Sequence, residues 1–253
     1  MSLTACITLN DRPVPVLREV YESIRHQAHD QLVIALDRAP AHVADMTATF
    51  WKDDPRVTLV PIDGPPGWRS PVKAWNAAYQ HVTGAHLYCF SSETVQAEGN
   101  LQKAKDFLAK HPNTLLFGKA ECSCGPNGAE VNWGGTAPGN LLCSQSHPRP
   151  LGFIWAAPFA NVQTIGAWDE NFDRGFWFDD NDFFTRLWKS GLNFAFTDAV
   201  SGSHIHHERP NLTQDGINRN SAYMLQKWAS LDPLSKQPRI VNYLPDRTEW
   251  KHP

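Results

Sequence analysis

Residues Ala5 to Pro40 read ACITLNDRPVPVLREVYESIRHQAHDQLVIALDRAP. Ala5 to Leu9 and Leu32 to Leu36 are apolar runs of strand length, closed by Asn10-Asp11 and by Asp37. Between them Leu17, Val20, Tyr21 and Ile24 recur at three- and four-residue spacing, the stripe of an amphipathic helix. The same alternation continues outward. Ala41 to Trp51 reads as a helix, Val57 to Val60 as a strand, Pro71 to His81 as a helix with Pro71 in its favoured first turn, and Ala85 to Phe90 as a strand. Strand, helix, strand, helix predicts an α/β fold, a mostly parallel, Rossmann-like central sheet with helices on both faces.

Ligands of such sheets bind outside the carboxyl ends of the strands. The residues there are Asn10, Asp11 and Arg12 after the first strand, Asp37 and Arg38 after the second, Asp63 after the third, and Ser91, Ser92 and Glu93 after the fourth. Each lies where a nucleotide can sit.

The second half is anchored by Pro150 to Gly191, PLGFIWAAPFANVQTIGAWDENFDRGFWFDDNDFFTRLWKSG. It joins an apolar strand, a short helix ending at Gly166, a WDENFD turn and an acidic cluster that opens a second amphipathic helix. Asp179, Asp180 and Asp182 follow directly on Phe176, Trp177 and Phe178. Acids at a helix start, backed by aromatic rings, can hold a polar substrate and take a proton from it. Gly118 to Pro150, rich in Gly, Pro, Asn and Ser, is expected to form short strands and loops. Asn193 to Phe196 and Ser201 to His207 read as strands, Gln214 to Ser230 as a helix, and residues 231–253 as an extended tail. Residues 1–230 are expected to form a single domain.

Composition narrows the function classes. The 253 residues carry a formal net charge of −3, with no block of basic residues, so general nucleic-acid binding is not expected. No run approaches the roughly 20 apolar residues needed to cross a bilayer, and the N-terminus enters a strand pattern directly, which predicts a cytoplasmic protein. Five cysteines, an odd number set mostly in apolar segments, argue for reduced thiols.

In order and spacing these segments resemble the GT-A glycosyltransferases, most closely family 2, over residues 4–207. Ala5 to Pro40 is similar to that family's opening strand, helix and second strand. PVKAWNAAYQHVTGAHLYCFSSETV, Pro71 to Val95, is similar to the helix and strand that lead to its DxD metal motif, and Pro150 to Gly191 to its acceptor-side strand, turn and ED motif. FWFDDND also resembles the acceptor loop of the β-1,4-galactosyltransferase branch. The resemblance implies a nucleotide-sugar donor, a UDP-sugar first among them, bound by residues 1–117, and an unknown hydroxyl acceptor bound by residues 118–230.

Residue by residue, it places Asn10, Asp37, Asp63, Lys73, Asn76, Ser91 and Ser92 about the nucleotide. Asp180 stands as the general base with Asp179 beside it, and Trp177, Phe176, Trp155 and Asp182 stand about the acceptor. A divalent cation, Mn²⁺ or Mg²⁺, would be held by Glu93, His204 and His206. Here the sequence departs from the pattern, since Ser91-Ser92-Glu93 occupies the three DxD positions, so that only Glu93 offers a carboxylate. Arg69 or Lys73 can assist or partly replace the metal through their positive charge.

Each site residue has a plainer reading beside this one. One of the acids can serve as an N-cap, though a cap does not need three; Trp177 suits core packing, and Lys73 a helix surface. At the level of the whole chain, the alternatives are a non-catalytic nucleotide-sugar or carbohydrate binding protein on the same fold, and a nucleotidyltransferase. The latter calls for a glycine-rich basic loop that Asn10-Asp11-Arg12-Pro13 does not provide.

Overall fold

The computed structural model describes residues 1–64, 67, 69–123, 141–146, 148–205, 212–231 and 249–250. Its first half alternates as the apolar runs require: β1 (Leu3–Leu9), α1 (Val14–Arg25), β2 (Gln31–Asp37), α2 (Ala41–Trp51), β3 (Val57–Ile62), α3 (Val72–Tyr79) and β4 (His86–Ser91). β1 is buried along its whole length, and its side chains alternate between two cores: Cys6 packs on one face of the sheet with Val33 and Trp75, Ala5 and Ile7 on the other with Leu17, Val20 and Ile24 of α1. That two-sided burial is why the strand reads as a continuous apolar run.

Then follow β5 (Thr94–Gln96), α4 (Asn100–Lys110), β6 (Thr114–Ser123), β7 (Leu141–Cys143), β8 (Ile154–Pro158), α5 (Phe159–Thr164), a 3-10 turn (Glu170–Arg174), α6 (Asp179–Lys189), β9 (Asn193–Ile205), α7 (Gln214–Leu231) and β10 (Glu249–Trp250). The strands form one sheet in the order β10-β9-β6-β8-β4-β1-β2-β3, with β5 on β9 and β7 on β6. β4, β1, β2 and β3 run parallel, as do β6 and β9, while β8 lies antiparallel between β4 and β6. The sheet is thus mostly parallel along that path, with helices on both faces.

Several elements differ from the sequence reading. The two strands expected at 193–196 and 201–207 are a single strand, β9, whose pairing with β6 shifts register at Gly118/Lys119 rather than breaking. A Cβ on Gly118 would meet Ile154 and Val200 within 3.0 Å, so the close approach of β6, β8 and β9 needs glycine there. The segment from Gly118, expected as short strands and loops, holds the second half of β6 and the short β7, and Glu249–Trp250 of the tail, expected to lie extended, pairs antiparallel with β9. Residues 124–140, among them the Trp133 to Gly139 tract, and 232–248 lie outside the described residues. No helix among the described residues is long and apolar enough to cross a membrane.

This topology sets the site. Parallel β1, β2 and β4 all end at one edge, with Thr8 opposite Ser91 and Leu9 opposite Leu36, so the residues that follow them converge. β9 delivers its end to the same edge, because Thr94 pairs with His204 and the Ile205 N–H donates to the Glu93 carbonyl at 2.7 Å.

Candidate active site

A cavity of about 590 Å³ opens along that edge, ample for a nucleotide or sugar ligand. On one side it is lined by Asn10, Arg12 and Asp37 with Ser91, Ser92, Glu93 and His204, on the other by Trp177, Phe178, Asp179 and Asp180; Trp75, Trp155 and Trp168 also contribute, as do Arg69 and Arg149. Residues far apart in sequence and carrying opposite chemistries are therefore brought to one hollow.

Asp37 is buried, with Arg38 Nη1 3.2 Å from its carboxylate; burial pushes its pKa up against the pull of that guanidinium. Arg38 holds a left-handed backbone (φ 52°) and also grips Asp173 at 3.0 Å. Asn10 donates to the Asp37 carbonyl at 2.6 Å and accepts the Asp11 N–H at 2.6 Å, which closes the β1 and β2 ends together.

At the β4 end Glu93 is buried. Its Oε2 accepts from Ser92 Oγ at 2.9 Å and from Arg12 Nε at 3.3 Å, while its Oε1 lies 3.6 Å from His204 Nε2. Ser91 Oγ pairs with Thr94 Oγ1 at 2.6 Å. The divalent cation implied by the resemblance has to fit here. Serine hydroxyls stand at two of the DxD positions, and among the described residues no group of three His, Cys, Asp or Glu could hold a metal. A guanidinium already shares the one carboxylate, and its positive charge opposes a divalent ion beside it. The described residues do not fit a cation at Glu93. His206, the third ligand expected, lies outside them.

Across the cavity, the loop before α6 carries two consecutive aromatic residues in the left-handed region, Trp177 (φ 63°) and Phe178 (φ 65°). For L-residues this costs about 1–2 kcal/mol each, and such strain persists only where the surroundings enforce it. Asn220 of α7 provides the enforcement: wholly buried, its Nδ2 donates to the Trp177 carbonyl and the Phe172 carbonyl, each at 3.0 Å. A Cβ at Gly175 would collide with Asn220, so glycine is required there. The strained loop presents the Trp177 ring to solvent at the cavity lip, 39% exposed.

Asp179 and Asp180 follow immediately. Asp179 accepts from Ser70 Oγ at 3.2 Å and Asp180 from the Asn181 N–H at 2.8 Å. Burial, and then the neighbouring Asp180 charge, push Asp179 up to about 7; burial pushes Asp180 up to about 6, against the pull of backbone N–H groups and of Arg149. Two acids held near neutrality at the mouth of a cavity suit proton transfer.

Other residues singled out from the sequence stand elsewhere. Asp182 is fully buried between Arg186 Nε (2.8 Å) and Lys227 Nζ (2.7 Å), and ties α6 to α7. Asn76 spends its amide on the Trp168 backbone, at 2.9 Å in both directions. Lys73 pairs with Asp173 at 3.2 Å, Asp63 is exposed outside the lining, and Phe176 packs over Gly216. Trp155 does touch the cavity, yet it is 1% exposed and packs edge-on to Phe184. Arg149 and Asn220 had no mark in the sequence, because neither belongs to a local motif.

No family model matches the sequence, and no curated protein matches it. Solved structures do. The mannosyltransferase PcManGT from Pyrobaculum calidifontis, in complex with GDP-Man and Mn²⁺, superposes with a TM-score of 0.61 at 18% identity, over 93% of this chain and 65% of that one. GalNAc-T7 with UDP, GalNAc and Mn²⁺ gives 0.68 at 12% identity, over 90% and 48%. S. aureus TarS 1-349 in complex with UDP-GlcNAc gives 0.63 at 11% identity, over 93% and 74%. The chain thus spans less than two thirds of the first and about half of the second. The likeness shows the GT-A fold, as the sequence reading expected.

Proposed function

We propose that this GT-A chain is a glycosyltransferase of the family 2 kind. It would move a sugar, with inversion, from a nucleoside diphosphate sugar, a UDP-sugar first among the candidates, to an acceptor hydroxyl. The observation that supports this most is the single cavity with Asn10, Asp37 and Glu93 on its strand-end side and the Asp179-Asp180 pair under Trp177 on the other. The fold is shared with PcManGT and TarS, solved with GDP-Man and UDP-GlcNAc, which favours a nucleotide sugar as donor.

In this reading Asp37 and Asn10 bind the nucleoside, and the diphosphate runs across the β1 end toward the β4 end. Residues 1–117 then hold the donor and 118–230 the acceptor, in one domain. The acceptor sits on Trp177, whose ring can cover the apolar face of a sugar. Asp180 accepts the hydroxyl proton as the acceptor oxygen bonds to the anomeric carbon and the bond to the diphosphate breaks. A base so placed contributes about 10²–10⁴-fold. The cysteines Cys6, Cys89, Cys122 and Cys143 are buried and not in disulfides, in keeping with a reducing compartment such as the cytoplasm.

The test is a panel of UDP-, GDP-, dTDP- and CMP-sugars, with and without the Mn²⁺ present in two of the neighbouring structures, for wild type and Asp180→Asn. One donor should bind and turn over, with Asp180→Asn keeping the binding and losing about 10²–10⁴-fold in turnover. No binding to any donor, or full turnover by the variant, refutes the proposal.

A further inference from the structure

We infer that Arg12 binds the leaving diphosphate in place of a divalent cation, so that donor binding and turnover are metal-independent; this rests on the nucleotide-sugar reading above. The buried Arg12 side chain lies between the nucleoside end of the cavity, at Asp37, and the β4 end, at Glu93. It is fixed by two bonds, Nε to Glu93 Oε2 at 3.3 Å and Nη1 to the Asp11 carbonyl at 3.0 Å. A guanidinium has five N–H donors, so three remain beyond those two, in the fork geometry that matches phosphate oxygens.

Position and charge both follow from the sequence. Arg12 stands three residues past the end of β1, an inner strand of the parallel set, and Pro13 is then the N-cap of α1. Glu93 works as the anchor that aims this guanidinium. In a metal site the same carboxylate would ligate the ion, and the two uses compete, because the guanidinium on Oε2 offsets the charge that would attract a cation. Arg69, also in the lining, adds a second guanidinium to the cavity. Among the described residues no group of three His, Cys, Asp or Glu stands ready for a cation, and the serines at 91 and 92 are neutral hydrogen-bonding groups suited to a phosphate or ribose oxygen.

The test uses the full chain, stripped of metal with EDTA. Tryptophan fluorescence is titrated with UDP, GDP and dTDP, and with the corresponding nucleosides, in EDTA and again in Mn²⁺. One diphosphate should bind equally well in both conditions, and its sugar donor should turn over in EDTA. Arg12→Gln should weaken the diphosphate about 10- to 100-fold, the worth of one or two charge-assisted hydrogen bonds, and leave the nucleoside unchanged. Because Arg12→Gln strands a buried carboxylate, the pair Arg12→Gln with Glu93→Gln restores neutrality and should show the same selective loss in a folded protein. Diphosphate binding that disappears in EDTA and returns with Mn²⁺ overturns the inference, and so does wild-type affinity in the paired variant. Failure of every diphosphate and nucleoside to bind wild type in either condition overturns the donor reading itself, and this inference with it.

Discussion

Replacing Asp179 with asparagine should stabilise the protein at about pH 8 and hardly at all at about pH 4. Asparagine keeps the shape and can still accept from Ser70 Oγ, so what the exchange removes is the buried charge. Burial and the adjacent Asp180 raise Asp179 from 3.8 to about 7. A carboxyl whose folded value lies above its unfolded value binds its proton more tightly when folded. Its contribution is therefore fully present below about pH 4 and is lost as the pH climbs to about 7, where the folded state must hold an ionised group that the unfolded chain holds more easily.

A gap of about three units at about 1.4 kcal/mol each sets a ceiling of roughly 4 kcal/mol. Asp179 is half-buried at a cavity mouth, and water there screens its charge, so about 2 kcal/mol is expected. For a chain of this size that corresponds to about 4–8 °C in Tm. Urea unfolding of wild type and Asp179→Asn across pH measures the difference directly, and subtraction cancels every other titrating group. A variant equally or less stable at about pH 8, or a gap that does not change with pH, would refute the reasoning. The same result would show what the site costs the fold: two acids kept where they destabilise the protein but can exchange a proton near neutrality.

Asp182 should behave in the opposite way to its neighbours. Asp182→Asn breaks ion pairs at 2.8 and 2.7 Å, but Arg186 keeps the Ile165 and Ala167 carbonyls and Lys227 keeps Asp169, so urea unfolding should show a loss near the lower end for a buried pair, about 3 kcal/mol, with the folded fraction still fully active. At Trp177, with φ at 63°, the usual order of alanine over glycine should reverse: Trp177→Gly should be about 1 kcal/mol more stable than Trp177→Ala in thermal unfolding, while both lose acceptor affinity.

The parallel half of the sheet was legible because β1, β2 and β4 are buried on both faces and each helix on one, so period and run length carry the assignment from Ala5 to Phe90. β8 was visible as an apolar run, but its antiparallel place between β4 and β6 was not, since direction depends on connections rather than on side chains. α4 is not legible although Leu101, Ala104 and Leu108 form its buried stripe; Gly99-Asn100 at its start has the look of a turn, and Gly99 adopts φ 74° there. β9 reads as two strands because Asp198 and Ala199 are exposed in mid-strand, where the register shifts.

The site was legible only where one short segment supplies the chemistry. Asp37, Glu93, Trp177, Asp179 and Asp180 each follow a strand end or open a helix, and all line the cavity. Proximity along the chain misled at Asp182: two residues past Asp180, it turns to the other face of the same helix, where Arg186 one turn on and Lys227 of α7 claim it. The partners that shape the site come from long range. Arg12 meets Glu93 across 81 positions, Ser70 reaches Asp179 across 109, and Asn220 reaches Trp177 across 43. Such pairs leave no periodicity and no motif, yet they decide what the local residues do. Glu93 alone is a metal ligand in waiting, whereas Glu93 with Arg12 on it is the anchor of a guanidinium. The chemistry of the β4 end is therefore set by a residue that the motif does not contain.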